Sequence, residues 1–266
     1  MIPTNPTKST SQSFRRINVT IAAVLVVTAA TAWVSVYYLM SMGGMSVTGA
    51  MVGMFVSPDI YSLLLFLLIW IVGMVAMMFP AMIPVTSMYN ATVAKSRPQA
   101  MIRSLLFLAG YLAMYSVLGL IAYFAVLLLL SLVSTISFLS YYGTLAVAVV
   151  LIATGLWQLT PFKRACLKHC VSPFGFFLTH SRQGFTGAVR MGAEHGYYCV
   201  GCCYLYMVVM FVVAGMSLPA MALLAIMITL EKALLKGARW FNLLSSAVFI
   251  ILGLIVWILP NALMII

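Results

Sequence analysis

Residues 17 to 40 read INVTIAAVLVVTAATAWVSVYYLM, an apolar run without a charged residue. A helix of about 20 apolar residues is long enough to cross a bilayer. The run therefore predicts a first membrane-spanning helix from Ile17 to Met40. Arg15 and Arg16 precede it, as in a signal peptide, but the run is too long for a signal-peptide core and no polar cleavage zone follows it.

The rest of the chain repeats this pattern. Hydrophobic residues make up 65% of it and charged residues only 6%, whereas a soluble domain is about one quarter charged. Lipid tolerates only helices or closed barrels, and barrels show short alternating strands instead. We therefore predict an all-α, polytopic membrane bundle of about seven transmembrane helices. The six further spans are expected at about Tyr61–Pro84, Arg103–Leu130, Ser140–Leu159, Tyr197–Gly215, Pro219–Leu235 and Phe241–Leu259.

The sequence shows one domain. Residues 1 to 16, rich in Pro, Thr and Ser, are predicted to form a disordered cytosolic tail. Residues 17 to 266 then form a single transmembrane domain, with a cytosolic loop that carries cysteines and histidines at about residues 160–196. The second span is predicted either to end at Pro84 or to continue beyond it as a helix, since a membrane interior tolerates proline.

The basic residues support this layout. All fourteen lie on alternate loops, and with only three acidic residues they give a net charge of +11. They are Lys8, Arg15, Arg16, Lys95, Arg97, Arg103, Lys163, Arg164, Lys168, Arg182, Arg190, Lys232, Lys236 and Arg239. The positive-inside rule then places the N-terminus in the cytosol and the C-terminus outside the plasma membrane. The charge is thereby explained without a nucleic-acid partner.

Cysteine is the residue type that points to chemistry. The stretch from 194 to 203 reads EHGYYCVGCC. Cys199, Cys202 and Cys203 are spaced i, i+3, i+4 and so share a helix face, as do Cys166 and Cys170 if their segment is helical. Cytosolic thiols stay reduced, and reduced thiolates are soft ligands that select Cu(I), zinc or an iron–sulfur cluster. Buried packing is the alternative, because cysteine is also a common small apolar residue in cores.

Methionine is the second unusual feature, with 20 copies. Span two carries Met74, Met77, Met78 and Met82, of which 74, 78 and 82 share one face at i+4 steps. A thioether stripe that descends toward the cysteines would form an inward path for Cu(I). Another five methionines crowd the first outside loop: Met40, Met42, Met45, Met51 and Met54. Gap filling in a helical core is the alternative explanation for the stripe.

Ionisable residues complete the candidate site. Glu231, at the inner end of span six, is a candidate ligand, because an ionisable group at the edge of a span marks function by default. Its alternative is a salt bridge to a nearby base. His195 is the better histidine ligand, being four residues before Cys199, whereas His169 and His180 are expected to be solvated. Asp59 is expected to cap span two.

Three blocks carry a resemblance to a known family. They are WIVGMVAMMFP at 70–80 with Pro84; QLTPFKRAC at 158–166 with Cys170 and Pro173; and GYYCVGCC at 196–203 with Met207, Gly215, Met216, Met221, Glu231 and Lys232. With these blocks, the chain resembles the predicted metal-binding integral membrane proteins of bacteria and archaea. The resemblance implies a helical membrane fold and a metal site made from these cysteines.

We therefore predict a membrane protein that binds copper, with zinc as the alternative metal, for transport or for delivery to a membrane cuproenzyme. The candidate thiolate ligands are Cys166, Cys170, Cys199, Cys202 and Cys203. His195 and Glu231 would act as further ligands or orient them, and Met74, Met77, Met78 and Met82 would line a transfer path.

Two other functions stay open. One is a thiol–disulfide relay through Cys199 and Cys202, a Cys-x-x-Cys pair. The other is a non-catalytic accessory subunit of a larger membrane complex. Expected partners are the lipid bilayer and other membrane subunits or a metal chaperone. No phosphate loop or dinucleotide fingerprint is present. A role other than catalysis is favoured.

Overall fold

The computed structural model describes residues 6–42, 55, 59–92, 99–135, 143–171, 173–179, 182, 184–213, 217–233 and 238–259. Within these ranges the chain forms helices and no strands, so the predicted all-α class is confirmed. The helices are α1 (Pro6–Met42), α2 (Ile60–Thr92), α3 (Ala100–Thr135), α4 (Gly143–Leu159), α5 (Pro161–Val171), α6 (Pro173–Thr179), α7 (Gly184–Val212), α8 (Leu218–Ala233) and α9 (Ala238–Ile258).

Five of these helices, α1, α2, α3, α7 and α9, contain a stretch long and apolar enough to cross a membrane. The pair α4 and α5 adds a sixth if it forms one broken span, because the two helices are bent by 66° where they meet. Helix α8 has only 16 residues, fewer than the roughly 20 that a bilayer needs. The number of seven spans and the sidedness of the termini stay predictions.

Two segments predicted to be irregular are helical. Helix α1 begins at Pro6, so residues 6 to 16 extend the first apolar helix toward the N-terminus, because adding a residue to an existing helix is far easier than starting one. Residues 160–196, predicted as a loop, form α5, α6 and the first part of α7. The polar composition of this segment had suggested a loop. Its charged side chains instead lie on the outside of the bundle, where Glu194 pairs with Arg182 and with Arg190, four residues earlier on α7.

Helix α2 shows how the fold accommodates proline and an acidic cap. The helix runs through Pro80 and Pro84 to Thr92, which confirms the longer of the two predicted forms. At its other end the backbone N–H of Ser62 donates to the Asp59 carboxylate at 2.7 Å. This hydrogen bond lowers the pKa of Asp59, because it stabilises the charged form. The predicted cap is therefore confirmed.

Helix α7 occupies the middle of the bundle, where α3, α4, α5 and α8 all pack on it. Glycines bring α3 and α7 into backbone contact. A Cβ at Gly110 would overlap the carbonyl oxygen of Val189, and a Cβ at Gly192 would overlap that of Phe107. Small residues allow such close approach between helices. The side chains of α3 therefore reach the cysteine face of α7.

A sharp bend brings α5 back against α7. Helix α4 ends at Leu159, and Pro161 begins α5, a position that proline favours because its missing N–H has no partner there anyway. The Thr160 hydroxyl accepts the backbone N–H of Lys163 at 3.3 Å and so caps α5. As a result the two cysteines of α5 face the cysteines of α7.

Candidate metal centre

Three cysteine sulfurs converge between α5 and α7. The sulfurs of Cys170, Cys199 and Cys202 all lie within 4.8 Å of one another, and those of Cys170 and Cys202 are 3.8 Å apart. All three residues are buried. Three sulfurs bound to one ion at about 2.3 Å would stand about 4 Å apart, so this cluster, called the cysteine triad below, has the spacing of a soft-metal site.

Helical spacing and one glycine assemble the triad. Cys199 and Cys202 are three residues apart on α7 and so share a face, while Cys170 comes from α5. The two helices meet at Gly201, where an added Cβ would lie 2.8 Å from the sulfur of Cys166. A larger residue at 201 would have to displace the side chain of Cys166, which lies on the same helix as Cys170.

Cys199 is surrounded by hydrogen-bond donors. The Lys232 ammonium of α8 donates to its sulfur at 2.9 Å. The Tyr115 hydroxyl of α3 donates to the same sulfur at 3.2 Å, and the Tyr111 hydroxyl also lies at 3.2 Å. Each donor is buried. An ammonium and two hydroxyls around one sulfur stabilise its anionic form, which is the form that binds metal.

The other two cysteines lie outside the triad. Cys203 donates its thiol hydrogen to the backbone carbonyl of Cys199 at 2.9 Å, with the Tyr115 hydroxyl 3.6 Å away. Cys166 packs against Gly201. Both are buried and were predicted as ligands, but the structure does not bring them within the spacing of the triad.

His195 lies one turn before Cys199 on α7 and is also buried. Its ring packs near the rings of Phe107, Tyr111 and Phe176. Its Nδ1 atom has no hydrogen-bond partner, which is uncommon for a buried nitrogen. The histidine therefore stands beside the triad with a free ring nitrogen, although it does not belong to the closely spaced group.

Glu231 is held by a different group. Its carboxylate forms an ion pair of 2.5 Å with Lys163 of α5, and the Tyr206 hydroxyl donates to it at 3.4 Å. Lys163 is fully buried, also contacts Gln158, and lies over the Tyr206 ring. The expected salt bridge of Glu231 is thus present, but its partner is Lys163 rather than a base near it in sequence. A carboxylate so engaged is poorly placed to bind a metal.

The methionine stripe of α2 is buried throughout. Met74, Met77, Met78 and Met82 are each at most 1% exposed. Met78 is linked to the cysteine triad through Lys232, because its sulfur lies 3.9 Å from the ammonium that donates to Cys199. The five methionines of the first outside loop fall outside the described side chains, as does His180. His169 packs against Tyr198, with 4.3 Å between the ring centres and the ring planes tilted by 30°.

Sequence reasoning missed four residues of this region. Lys163 and Lys232 were counted as loop charges, yet both are buried within the bundle. Tyr111 and Tyr115 belong to the third predicted span and were not singled out in it. Their i,i+4 spacing was the available signal, because two tyrosines on one face of an apolar helix each need a buried partner for the hydroxyl.

The comparisons with known proteins agree with this geometry. A family model described as PpoB2, copper chaperone, matches residues 67–256. The matched range contains the cysteine triad together with Tyr111, Tyr115 and Lys232. No curated protein and no solved structure matches the chain.

Proposed function

This chain belongs to the PpoB2 copper chaperone family, and on that premise we propose that it is a multi-pass plasma-membrane protein that holds Cu(I) as cargo in the cysteine triad. Delivery to a copper-requiring membrane protein is the role that the family supports. The observation that carries the proposal is the convergence of Cys170, Cys199 and Cys202, whose sulfurs lie within 4.8 Å of one another inside the bundle.

The donor set suits monovalent copper. Thiolates are soft ligands and Cu(I) is a soft ion. The triad provides three thiolates, one ligand fewer than the four of a structural zinc site. Binding requires the thiols to lose their protons, and the Lys232 ammonium with the hydroxyls of Tyr111 and Tyr115 compensates the resulting negative charge at Cys199.

Neighbouring residues have supporting roles in this proposal. His195, with its free Nδ1 one turn from Cys199, is a further ligand or orients one. The stripe of Met74, Met77, Met78 and Met82 lines the approach to the triad, and Met78 contacts Lys232 beside it. The cysteine face of α7 lies toward the cytosol, as the distribution of basic residues predicts.

The test is the copper content of the purified protein. Chains loaded anaerobically with Cu(I) in mild detergent are compared by atomic spectroscopy. We expect one copper per chain in the wild type and a loss of most of it in Cys170→Ser, Cys199→Ser and Cys202→Ser. Cys166→Ser and Cys203→Ser are the matched controls, because those cysteines are equally buried but lie outside the triad. Equal copper content in all five variants would refute the proposal.

Delivery and transport give different results in vesicles. Protein reconstituted in liposomes is loaded with Cu(I) on one side, with a chromogenic Cu(I) chelator in the lumen. A chaperone keeps its copper until an acceptor on the same side takes it, so the trapped chelator stays uncoloured. A protein-dependent signal that requires Met78 and Cys199 would instead establish transport.

A thiol–disulfide relay is the second candidate, and the distance of 3.8 Å between the sulfurs of Cys170 and Cys202 favours it. The structure suggests this pair across two helices rather than the predicted pair of Cys199 and Cys202. In such a relay the two thiols would pass two electrons and two protons to the disulfide of a partner, which becomes a dithiol. Alkylation after oxidation with a small-molecule disulfide tests it, since the shift must vanish in Cys170→Ser and persist in Cys199→Ser.

A further inference from the structure

Lys232 is a buried cation that faces sulfur rather than a carboxylate. It is 8% exposed, and its ammonium lies 2.9 Å from the sulfur of Cys199 and 3.9 Å from that of Met78. The ion pairs found among the described residues join Lys163 to Glu231 and two arginines to Glu194, so none of them includes Lys232. Its positive charge therefore acts on the cysteine triad without a neutralising carboxylate.

We propose that Lys232 is a specificity-determining residue, whose fixed positive charge makes the triad select monovalent copper against divalent metals such as Zn²⁺. The inference rests on the proposed function, because it assigns a role at the same site. It adds a basis for metal choice that lies in charge rather than in the ligands themselves.

Charge is the physical basis of this selection. A metal bound between the three sulfurs lies close to the ammonium that contacts one of them. The repulsion between the ammonium and the metal is proportional to the charge of the metal, so it is twice as large for Zn²⁺ as for Cu⁺. Because the site is buried, water screens this difference less than it would at a surface.

The coordination number acts in the same direction. Zinc in structural sites takes four ligands in a tetrahedron. Among the described residues, the closely spaced group of candidate ligands contains only the three cysteines. The triad alone would thus leave zinc one ligand short of a tetrahedron, and only a further group such as His195 or water could supply the fourth.

Lys163 is the natural comparison within the same region. It is also buried, but the Glu231 carboxylate at 2.5 Å cancels its charge. Its ammonium is therefore a neutralised group, and it is not expected to influence metal choice. This difference separates a specific effect of Lys232 from a general effect of buried lysines.

The experiment measures affinity for two metals in the full-length protein in detergent. Competition with a chromogenic Cu(I) chelator and with a fluorescent Zn²⁺ chelator gives both dissociation constants. For Lys232→Met we expect affinity for Zn²⁺ to rise relative to Cu(I) by between about tenfold and a hundredfold, the range given by one extra unit of charge at a few ångströms. Lys232→Arg keeps the charge and should keep the wild-type ratio.

The outcomes separate the two proposals. Wild-type protein that binds no Cu(I) through its cysteines overturns the proposed function and this inference together. Cysteine-dependent Cu(I) binding with the same ratio in wild type and Lys232→Met overturns only the inference. Lys232→Gln serves as a second neutral variant if Lys232→Met does not fold, and a ratio unchanged in that variant is equally decisive.

Discussion

Two buried lysines, at neighbouring positions of the bundle, have opposite surroundings. Lys163 of α5 meets the carboxylate of Glu231, and Lys232, the next residue along α8 from that glutamate, meets the thiol of Cys199. The first pair is complete, because two opposite charges cancel. In the second pair the sulfur can be bound by a proton or, in the proposed function, by a metal, so the charge of the pair is variable.

This difference indicates different roles for the two pairs. A buried ion pair contributes little net stability but is costly to break, because the remaining partner keeps an uncompensated charge. Glu231 and Lys163 therefore form a structural connection between α8 and α5. In the proposed function Lys232 and Cys199 belong to a metal site, since the sulfur can be neutral when the lysine is absent and is anionic when it binds a metal.

The largest predicted effect comes from breaking the ion pair of Lys163 and Glu231. Lys163→Met keeps the side-chain volume but leaves the Glu231 carboxylate buried without its cation, which should lower the free energy of unfolding by about 3–5 kcal/mol. Denaturant titration in detergent, followed by circular dichroism, measures the change. The double variant Lys163→Met with Glu231→Gln should recover most of the loss.

Lys232→Met is the matched variant at the second pair. Without metal it should lower the free energy of unfolding by no more than about 1.5 kcal/mol, because Cys199 can take up a proton once the ammonium is gone and the methionine fills the same volume. Equal losses in Lys163→Met and Lys232→Met would contradict the distinction between the two pairs. They would mean that Cys199 is an obligate anion even in the empty protein.

The next prediction concerns the packing that supplies the other donors of Cys199. Gly192→Ala places a Cβ against the carbonyl oxygen of Phe107, so α3 must move away from α7 and take its tyrosines with it. We expect a loss of about 1–3 kcal/mol in the free energy of unfolding, together with weaker Cu(I) binding, measured by denaturation and by chelator competition.

Gly175→Ala is the control for this prediction. Gly175 is also helical, but nothing lies within 4 Å of the position that its Cβ would take. Alanine is the better helix former by about 1 kcal/mol, so this variant should be neutral or slightly more stable. If Gly192→Ala were as harmless as Gly175→Ala, the close contact between α3 and α7 would not be needed for the site.

The smallest predicted effect comes from removing a single hydroxyl group beside Cys199. Tyr111→Phe or Tyr115→Phe removes one group that contacts the Cys199 sulfur. Each loss, at about 0.5–1.5 kcal/mol for one hydrogen bond, should weaken Cu(I) binding by about two- to tenfold. The measurement is again competition with a chromogenic chelator.

Tyr206→Phe is the matched control, because its hydroxyl contacts Glu231 in the first pair rather than Cys199. We expect no change in its Cu(I) affinity beyond twofold. A change as large as that of Tyr115→Phe would show that the two regions are one site, in which Glu231 acts on the metal after all.

Much of the fold could be predicted because it depends on local properties. Apolar runs such as Ile17–Met40 predict helices wherever they occur, and α1, α2, α3, α7 and α9 correspond to predicted spans. The prediction failed where composition was polar but the chain helical. Residues 184–196 are one example, since arginines paired with Glu194 cover the outer side of α7 while His195 and Cys199 face inward.

The candidate site could be predicted only in part. The shared face of Cys199 and Cys202 follows from their spacing on one helix, and both belong to the triad. Spacing also grouped Cys166 with Cys170 and Cys203 with Cys202, but only one member of each of these two pairs joins the triad. Which member does so depends on the angle and distance between α5 and α7, and no pattern along the chain encodes either directly.

By itself, the sequence determined the helical class and the soft character of the donors, because helical periodicity and side-chain chemistry are properties of short segments. Only the tertiary structure decided that Cys170 completes the triad, that Lys163 forms an ion pair with Glu231, and that Lys232 contacts Cys199. The physical reason is close packing. The glycines at 110, 192 and 201 and the bend after Leu159 set how near the helices come, and that approach selects which buried groups meet.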